Sequence, residues 1–173
     1  TISKIQRIIM SKTKEKLFSI ENSLSDSGYL ISHDVKLPND DIAQIVASRT
    51  YLSWKGLVIK SQHILISTIN NPTIANIKTL YQFGFCFGKE RNRVPLLRGV
   101  QFGYMIIPVI LANEVSKELK NYINSPPKKR WGIMEFPVVW DAISNNINFY
   151  EETPIWNGAF YSDLRKVVLK HIF

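Results

Sequence analysis

The sequence has only one cysteine, Cys86, among its 173 residues. One cysteine cannot form a disulfide within the chain, and it cannot supply the thiolate pairs of the common structural zinc motifs. Because disulfides are rare in reducing compartments, this low content favours a cytoplasmic location. Phe85 and Phe87 flank the cysteine, so we interpret Cys86 as a small core residue rather than as a nucleophile.

Several motifs of well-known enzyme and membrane classes are also absent. No apolar run approaches the roughly 20 residues that a helix needs to cross a bilayer, so we predict no membrane span. The three histidines, His33, His63 and His171, lack the spacing of zinc proteases. Neither the phosphate-binding glycine patterns nor a Gly-x-Ser-x-Gly elbow occurs. We therefore predict no metal site and no cofactor, and we lean against enzymatic activity.

Acidic residues are scarce relative to basic ones. The chain has 22 lysines and arginines against 14 aspartates and glutamates, which gives a formal net charge of +8. Such a balance favours an acidic partner, either nucleic acid or an acidic protein. Hydrophobic residues make up 45% of the sequence, which is an ordinary globular composition, and the length suits one domain over residues 1–173.

Apolar residues recurring at three- and four-residue steps predict four main helices. The second is the clearest, with Asn71 as its N-cap and Pro72 in its first turn, and Asn113 is the expected N-cap of the third. We also predict a short helix after Pro38 that carries Ile42, Ile45 and Val46. The main helices are expected over residues 2–24, 72–85, 114–123 and 160–171.

Strands are predicted where apolar residues alternate or cluster. His33 falls on the apolar side of the first strand, so we expect it to be buried or half-buried. Residues 104–111 are apolar on both faces and should lie at the sheet centre, although Pro108 cannot donate a ladder hydrogen bond. Asn145 and Asn146 suit the tight turn of a C-terminal hairpin. The strands are expected over residues 29–37, 104–111, 131–143 with a break at Pro137, and 147–150. Residues 56–59 and 63–69 are expected to form either two short strands or one bent strand.

This pattern predicts an α/β fold: a single-domain mixed β-sheet flanked by helices, with a C-terminal β-hairpin and a closing helix. Its most unusual stretch follows the second helix, where four cations lie within ten residues: Lys89, Arg91, Arg93 and Arg98. In a loop from 89 to 101 flanked by aromatic residues, they could bind phosphates or stack on bases. The competing interpretation is structural, in which the arginines hold strand ends and helix carbonyls in place.

The order helix, strand, short strands, helix, strand over residues 1–111 loosely resembles the restriction-endonuclease-like nuclease core. That family places an acid and then Glu-x-Lys or Asp-x-Lys on the following strand. Lys60 is the candidate lysine here, but Val58 occupies the acid position; Asp34 and Lys36 spell acid-x-Lys on an earlier strand. The resemblance is topological, and with these residues it implies a degenerate catalytic set that binds without cleaving.

Three functional hypotheses follow. The first is a cytoplasmic binding or interaction protein, which could form a homodimer through its hairpin or first helix. The second is a nucleic-acid-binding protein with a degenerate restriction-endonuclease-like core, which uses the four cations named above. The third is a metal-dependent hydrolase built on scattered carboxylates, with Asp34 and Lys36 joined by a distant acid.

Overall fold

The computed structural model describes residues 4–38, 40–54, 57–92, 97–98, 101–154 and 158–173, without the side chains of residues 4, 5, 158 and 159. Within those ranges the chain forms one mixed sheet with helices on both faces. The helices are α1 Lys4–Asp26, α2 Ile74–Arg91, α3 Lys117–Ile123 and α4 Gly158–His171. The strands are β1 Leu30–Lys36, β2 Ile42–Ser53, β3 Val58–Thr68, β4 Phe102–Ala112, β5 Ile133–Glu135, β6 Val138–Asp141 and β7 Asn146–Asn148. This architecture confirms the predicted α/β fold class.

The strand order is β1-β2-β3-β4-β6-β7, and β5 also pairs with β4. The first three strands form an antiparallel meander, whereas β3, β4, β5 and β6 run parallel. Helix α2 makes the crossover from β3 to β4, as a parallel pair requires. The predicted C-terminal hairpin is confirmed: β6 and β7 are antiparallel, and Asn145 has a φ of +53° in the turn between them.

Two apolar cores lie on opposite faces of the sheet. Helices α1 and α4 cover one face, here called the α1/α4 face, through buried residues such as Leu24 and Leu164. Helices α2 and α3 cover the other, the α2/α3 face, through residues such as Leu80 and Leu119. Strand β4 is buried along its whole length between them, which explains why it is apolar on both sides.

The short helix predicted after Pro38 is wrong. Residues Ile42–Ser53 form β2, a 12-residue strand paired with β1 on one side and β3 on the other. Ile42, Ile45 and Val46 have helical spacing, but β-branched residues suit a strand that is covered on both faces. The pairing partners are distant in sequence, so local periodicity could not reveal them.

Strand β3 runs without a break from Val58 to Thr68, which confirms the prediction of one strand here over its alternative of two short segments. Two N-caps differ from their predictions. Thr73, not Asn71, is the N-cap of α2, and Ser116, not Asn113, is the N-cap of α3. The Asn113 side chain instead donates a hydrogen bond to Oδ1 of Asn70, at 3.1 Å. Residues 2, 3 and 56, which belonged to these predictions, lie outside the described ranges.

Pro108 lies in the central strand without breaking it. The backbone groups of even-numbered β4 residues face β5 and β6: Tyr104 N donates to Gly132 O, and Phe136 N donates to Ile106 O. The nitrogen of Pro108, which has no hydrogen to donate, therefore faces the break at Phe136–Pro137 between β5 and β6. No strand residue needs a hydrogen-bond partner at that point. This confirms the predicted strand interruption at Pro137. No helix in the described ranges is long and apolar enough to cross a membrane.

Candidate functional site

The beginnings of three parallel strands meet at one end of the sheet. The register places Ile59 beside Phe102, and Tyr104 beside Ile133. Between these strand beginnings and α4 is a cavity of about 330 Å³, here called the strand-end cavity. Three cations and three aromatic rings line it, namely Lys60, Lys129, Arg130, Phe102, Trp131 and Phe160. None of the described residues that line it is acidic.

Lys60 provides the charge at the inner side of this cavity. Its side chain is almost fully buried, with Nζ 3.5 Å from Oδ2 of Asp163 and 3.9 Å from the ring centroid of Phe160. Burying an ammonium group costs several kcal/mol unless partners compensate. Both partners come from α4, so that helix holds the Lys60 charge in place.

The outer rim is the segment just before β5. Lys129 and Arg130 are exposed, and Trp131 keeps 69% of its surface in solvent. Arg130 is held by Tyr81: its Nη1 donates to the tyrosine Oη at 2.8 Å, and its Cζ lies 4.6 Å from the ring centroid. Gly132 turns the chain into β5 with a φ of +66°, a conformation that a side chain would strain.

A second cavity, of about 250 Å³, lies on the other side of Arg130 and is here called the Glu135 cavity. Lys78, Lys128 and Arg130 line it together with the half-buried Glu135. Burial raises the pKa of the Glu135 carboxyl, and the three cations oppose that rise. Arg130 lines both cavities, so the two share one cationic wall.

A polar cluster lies further along β2 and β3 on the α1/α4 face. Tyr29 donates from its hydroxyl to Oε1 of the buried Gln62 at 2.8 Å. The Arg49 guanidinium lies between two rings, with Cζ 4.6 Å from the centroid of Tyr29 and 4.7 Å from that of Tyr51. Burial raises the pKa of Tyr29 to about 12 against the effect of Arg49. The Tyr29 hydroxyl is therefore held as a hydrogen-bond donor to Gln62 beside the charge of Arg49.

His63 is buried on the opposite face. Its Nδ1 lies 2.9 Å from Oγ of Ser48, and its Nε2 lies 2.9 Å from Oγ of Ser61. Burial, with the nearby charge of Arg91, lowers the pKa of His63 to about 4. The imidazole is therefore neutral in the folded protein, and the two hydroxyl groups satisfy both ring nitrogens.

The cations predicted as a loop site are only partly in a loop. Lys89 and Arg91 belong to the last turn of α2, so the expected loop from 89 to 101 begins later than predicted. Arg91 lies over the ring of Phe87 at 3.6 Å, and the exposed Arg98 has its Cζ 5.9 Å from the ring of Phe85. Arg93 lies outside the described ranges. That these residues bind an anion stays a prediction.

The other residues considered from sequence lie apart from one another. Asp34 and Lys36 are exposed on the outermost strand, where Lys36 pairs with Asp40 at 3.4 Å. His33 is exposed and lies 3.5 Å from a carboxylate oxygen of Glu21, so its predicted burial is wrong. Cys86 is exposed as well. In the described part of the chain, no three His, Cys, Asp or Glu residues are placed to hold a metal ion.

Both corrections have a geometric reason. Helix α2 buries Gly84, Phe87 and Gly88 against the sheet, so Cys86 projects from its outer side. Strand β1 is at the sheet edge, and its residues are exposed or only half-buried despite their alternation. In both cases apolar neighbours in sequence did not become neighbours of the side chain in space.

Sequence reasoning underestimated the strand-end cavity. From sequence, Lys60 was identified only as the candidate lysine of the nuclease motif, and the basic run Lys128–Arg130 before Trp131 was assigned to no site. A basic run directly followed by a tryptophan was the available signal. Comparison with known proteins adds no assignment, because no family model, curated protein or solved structure matches the chain.

Proposed function

We propose that this protein binds single-stranded nucleic acid through the strand-end cavity. One observation carries the proposal: Lys60, Lys129 and Arg130 line a cavity beside the exposed Trp131, and none of its described lining residues is acidic. Cations contact the phosphates and aromatic rings stack on the bases, which is how single strands are bound without strong sequence preference.

The rest of the chain favours the same partner. A net charge of +8 attracts a polyanion over a long range and speeds association. Arg98 lies near this end, because it forms an isolated β-bridge with Phe102, which lines the cavity. A strand that occupies the cavity can therefore meet further cations beyond the rim.

Binding without cleavage is the form of the proposal that suits these residues. The order α1, β1, β2, β3, α2, β4 contains the elements on which the resemblance to the restriction-endonuclease-like core rested. Lys60 lies on β3, where that family has its lysine, but Val58 occupies the acid position. Asp163, from α4, contacts the lysine instead. We therefore propose a nucleic-acid-binding protein with a degenerate nuclease-like core.

A salt titration tests the proposal directly. Fluorescence anisotropy of a labelled single-stranded oligonucleotide should show affinity falling steeply between about 50 and about 200 mM salt. The double variant Lys129→Ala/Arg130→Ala should bind more weakly, and its salt slope should fall by about 1.4, roughly 0.7 for each lost phosphate contact. No binding by the unaltered protein at low salt would refute the proposal.

The matched control removes the same charge elsewhere. Lys12 and Lys117 are exposed on α1 and α3 and line neither cavity. Lys12→Ala/Lys117→Ala should keep the salt slope of the unaltered protein. Equal losses in both double variants would show that only net charge matters, and the cavity would then have no special role.

Trp131 tests the stacking component. Trp131→Ala should weaken binding by about 1–3 kcal/mol, with little change in salt slope. Trp54→Ala is the control, since Trp54 is 81% exposed but does not line the cavity. The melting temperature of each variant should stay unchanged, because neither ring is buried.

A further inference from the structure

The Glu135 cavity has a feature that phosphate binding does not explain. A half-buried carboxylate lies among Lys78, Lys128 and Arg130, and its negative charge would repel a phosphate group placed beside it. Glu135 lines the cavity and is half-buried, and burial raises the pKa of its carboxyl. A ligand that brings hydrogen-bond donors into the cavity can therefore compensate for the partial desolvation of this carboxylate.

The size of the cavity limits what can enter. Its volume is about 250 Å³, just below the roughly 300–1,000 Å³ of typical small-molecule pockets. The rings of Tyr122 and Tyr150 line it together with the carboxylate. A flat aromatic group with hydrogen-bond donors on one edge suits such a lining, because aromatic walls stack and a carboxylate accepts.

We propose that the Glu135 cavity binds one guanine base, whose N1–H and N2 amino group both donate to the Glu135 carboxylate. Guanine is the base that presents two adjacent donors on its Watson–Crick edge, and the two oxygens of a carboxylate accept such a pair in a bidentate manner. Adenine and cytosine place an acceptor nitrogen beside their amino group, which the carboxylate repels. Uracil and thymine offer one N–H between two carbonyl groups.

The cations of this cavity would then bind the phosphate of the nucleotide. Lys78 and Lys128 are exposed at the cavity and can hold the phosphate attached to the bound nucleotide. Arg130 lines both cavities, so a strand in the strand-end cavity can deliver a base to Glu135. This path rests on the proposed function, although binding of the base itself does not require it.

Mononucleotides test the inference separately from strand binding. Isothermal titration calorimetry should detect binding of guanosine monophosphate. Inosine monophosphate, which lacks the N2 amino group, should bind about tenfold or more weakly, because it loses one half of the bidentate contact. Adenosine and cytidine monophosphates should bind no better than inosine monophosphate. If all four bind equally, or if none binds, the inference is overturned.

A variant of the carboxylate completes the test. Glu135→Gln keeps the shape but presents an amide N–H₂ to one guanine donor, so affinity for guanosine monophosphate should fall about tenfold or more. Glu90→Gln, at an exposed position on α2, is the control and should bind like the unaltered protein. If Glu135→Gln retains the guanine preference, the carboxylate does not select the base.

The two proposals fail in different ways. Salt-sensitive oligonucleotide binding without any guanosine monophosphate preference supports the proposed function and refutes the guanine site. Guanosine monophosphate binding that Glu135→Gln abolishes, in a protein that binds no oligonucleotide, supports the guanine site and refutes strand binding.

Discussion

The two faces of the sheet use opposite means to hold their helices. On the α2/α3 face, the helix backbone approaches the strands directly at two glycines. A Cβ added to Gly84 would lie 2.4 Å from Cδ1 of Leu65, and one added to Gly88 would lie 2.5 Å from Nε2 of His63. Both distances are too short for real contacts, so a Cβ at either position would force the Leu65 or His63 side chain to shift. This close packing explains a glycine inside helix α2 at Gly84, where glycine costs helix propensity.

The α1/α4 face keeps polar side chains between helix and sheet. Gln62 and Lys60 lie on the same side of β3, and each is held by a specific partner: Tyr29 contacts Gln62, and Asp163 contacts Lys60. The first face is therefore sensitive to added volume and the second to lost partners. The strand-end cavity opens at the α1/α4 face, where charged side chains can lie near the surface without disturbing a tightly packed interface.

The largest expected effect is a loss of stability in acid that comes from His63 on the α2/α3 face. The pKa of His63 is lowered to about 4 in the folded state, against about 6.5 when unfolded. The folded state therefore holds the neutral form; its stabilisation is complete above pH 6.5 and is lost as pH falls toward 4. We expect a loss of about 3 kcal/mol over that range from this group, measured by urea unfolding at successive pH values.

Two histidine variants identify the source of that loss. His63→Gln should flatten the pH profile, whereas the control His33→Gln, at an exposed position, should keep the loss of stability between pH 6.5 and 4. His171, on the α1/α4 face, also has its pKa lowered to about 4, so some acid sensitivity should remain in His63→Gln. Identical profiles for all three proteins would contradict the assignment of acid sensitivity to His63.

The next effect concerns volume on the α2/α3 face. Gly88→Ala should destabilise the protein by about 1–2 kcal/mol, because overpacking costs about 1–3 kcal/mol while alanine returns up to about 1 kcal/mol of helix propensity. Chemical denaturation measures the change. Gly103→Ala is the control, since a Cβ there would meet its nearest atom at an ordinary 3.6 Å. In a His63→Ala background the cost should shrink, and an unchanged cost would place the clash elsewhere.

A smaller effect tests partner loss on the α1/α4 face. Tyr29→Phe removes the hydroxyl that donates to Gln62 and should cost about 1 kcal/mol of unfolding free energy. The Tyr122 hydroxyl makes no hydrogen bond within the described residues, so Tyr122→Phe should cost much less. Equal costs for the two variants would show that the buried hydrogen bond contributes little.

The smallest effect concerns Arg91, at the end of α2. Arg91→Ala should lower stability by less than about 1 kcal/mol, because the arginine that lies over the buried Phe87 ring is itself exposed. If it also contacts a phosphate, the salt slope of oligonucleotide binding should fall by about 0.7. We expect this reduction in salt slope, which is half of the reduction expected for Lys129→Ala/Arg130→Ala. An unchanged slope would confine nucleic-acid binding to the strand-end cavity.

Local pattern was sufficient for much of the fold. The periodicity of apolar residues located α1, α2 and α4, and the unbroken apolar run located β4 at the sheet centre. Pro137 and Asn145 marked the strand break and the hairpin turn. These features depend on residues a few positions apart, and their physical cause, the repeat of a helix or strand, acts over the same distance.

Tertiary contacts decided the rest. Residues Ile42–Ser53 became a strand because β1 and β3 pair with them, and Cys86 and His33 became exposed because their elements bury other sides. The candidate site is the clearest case: Lys60, Arg130 and Asp163 are far apart in sequence and meet only where parallel strand beginnings and α4 converge. Composition indicated an acidic partner, but the place where the cations gather depends on chain crossings that no local pattern records.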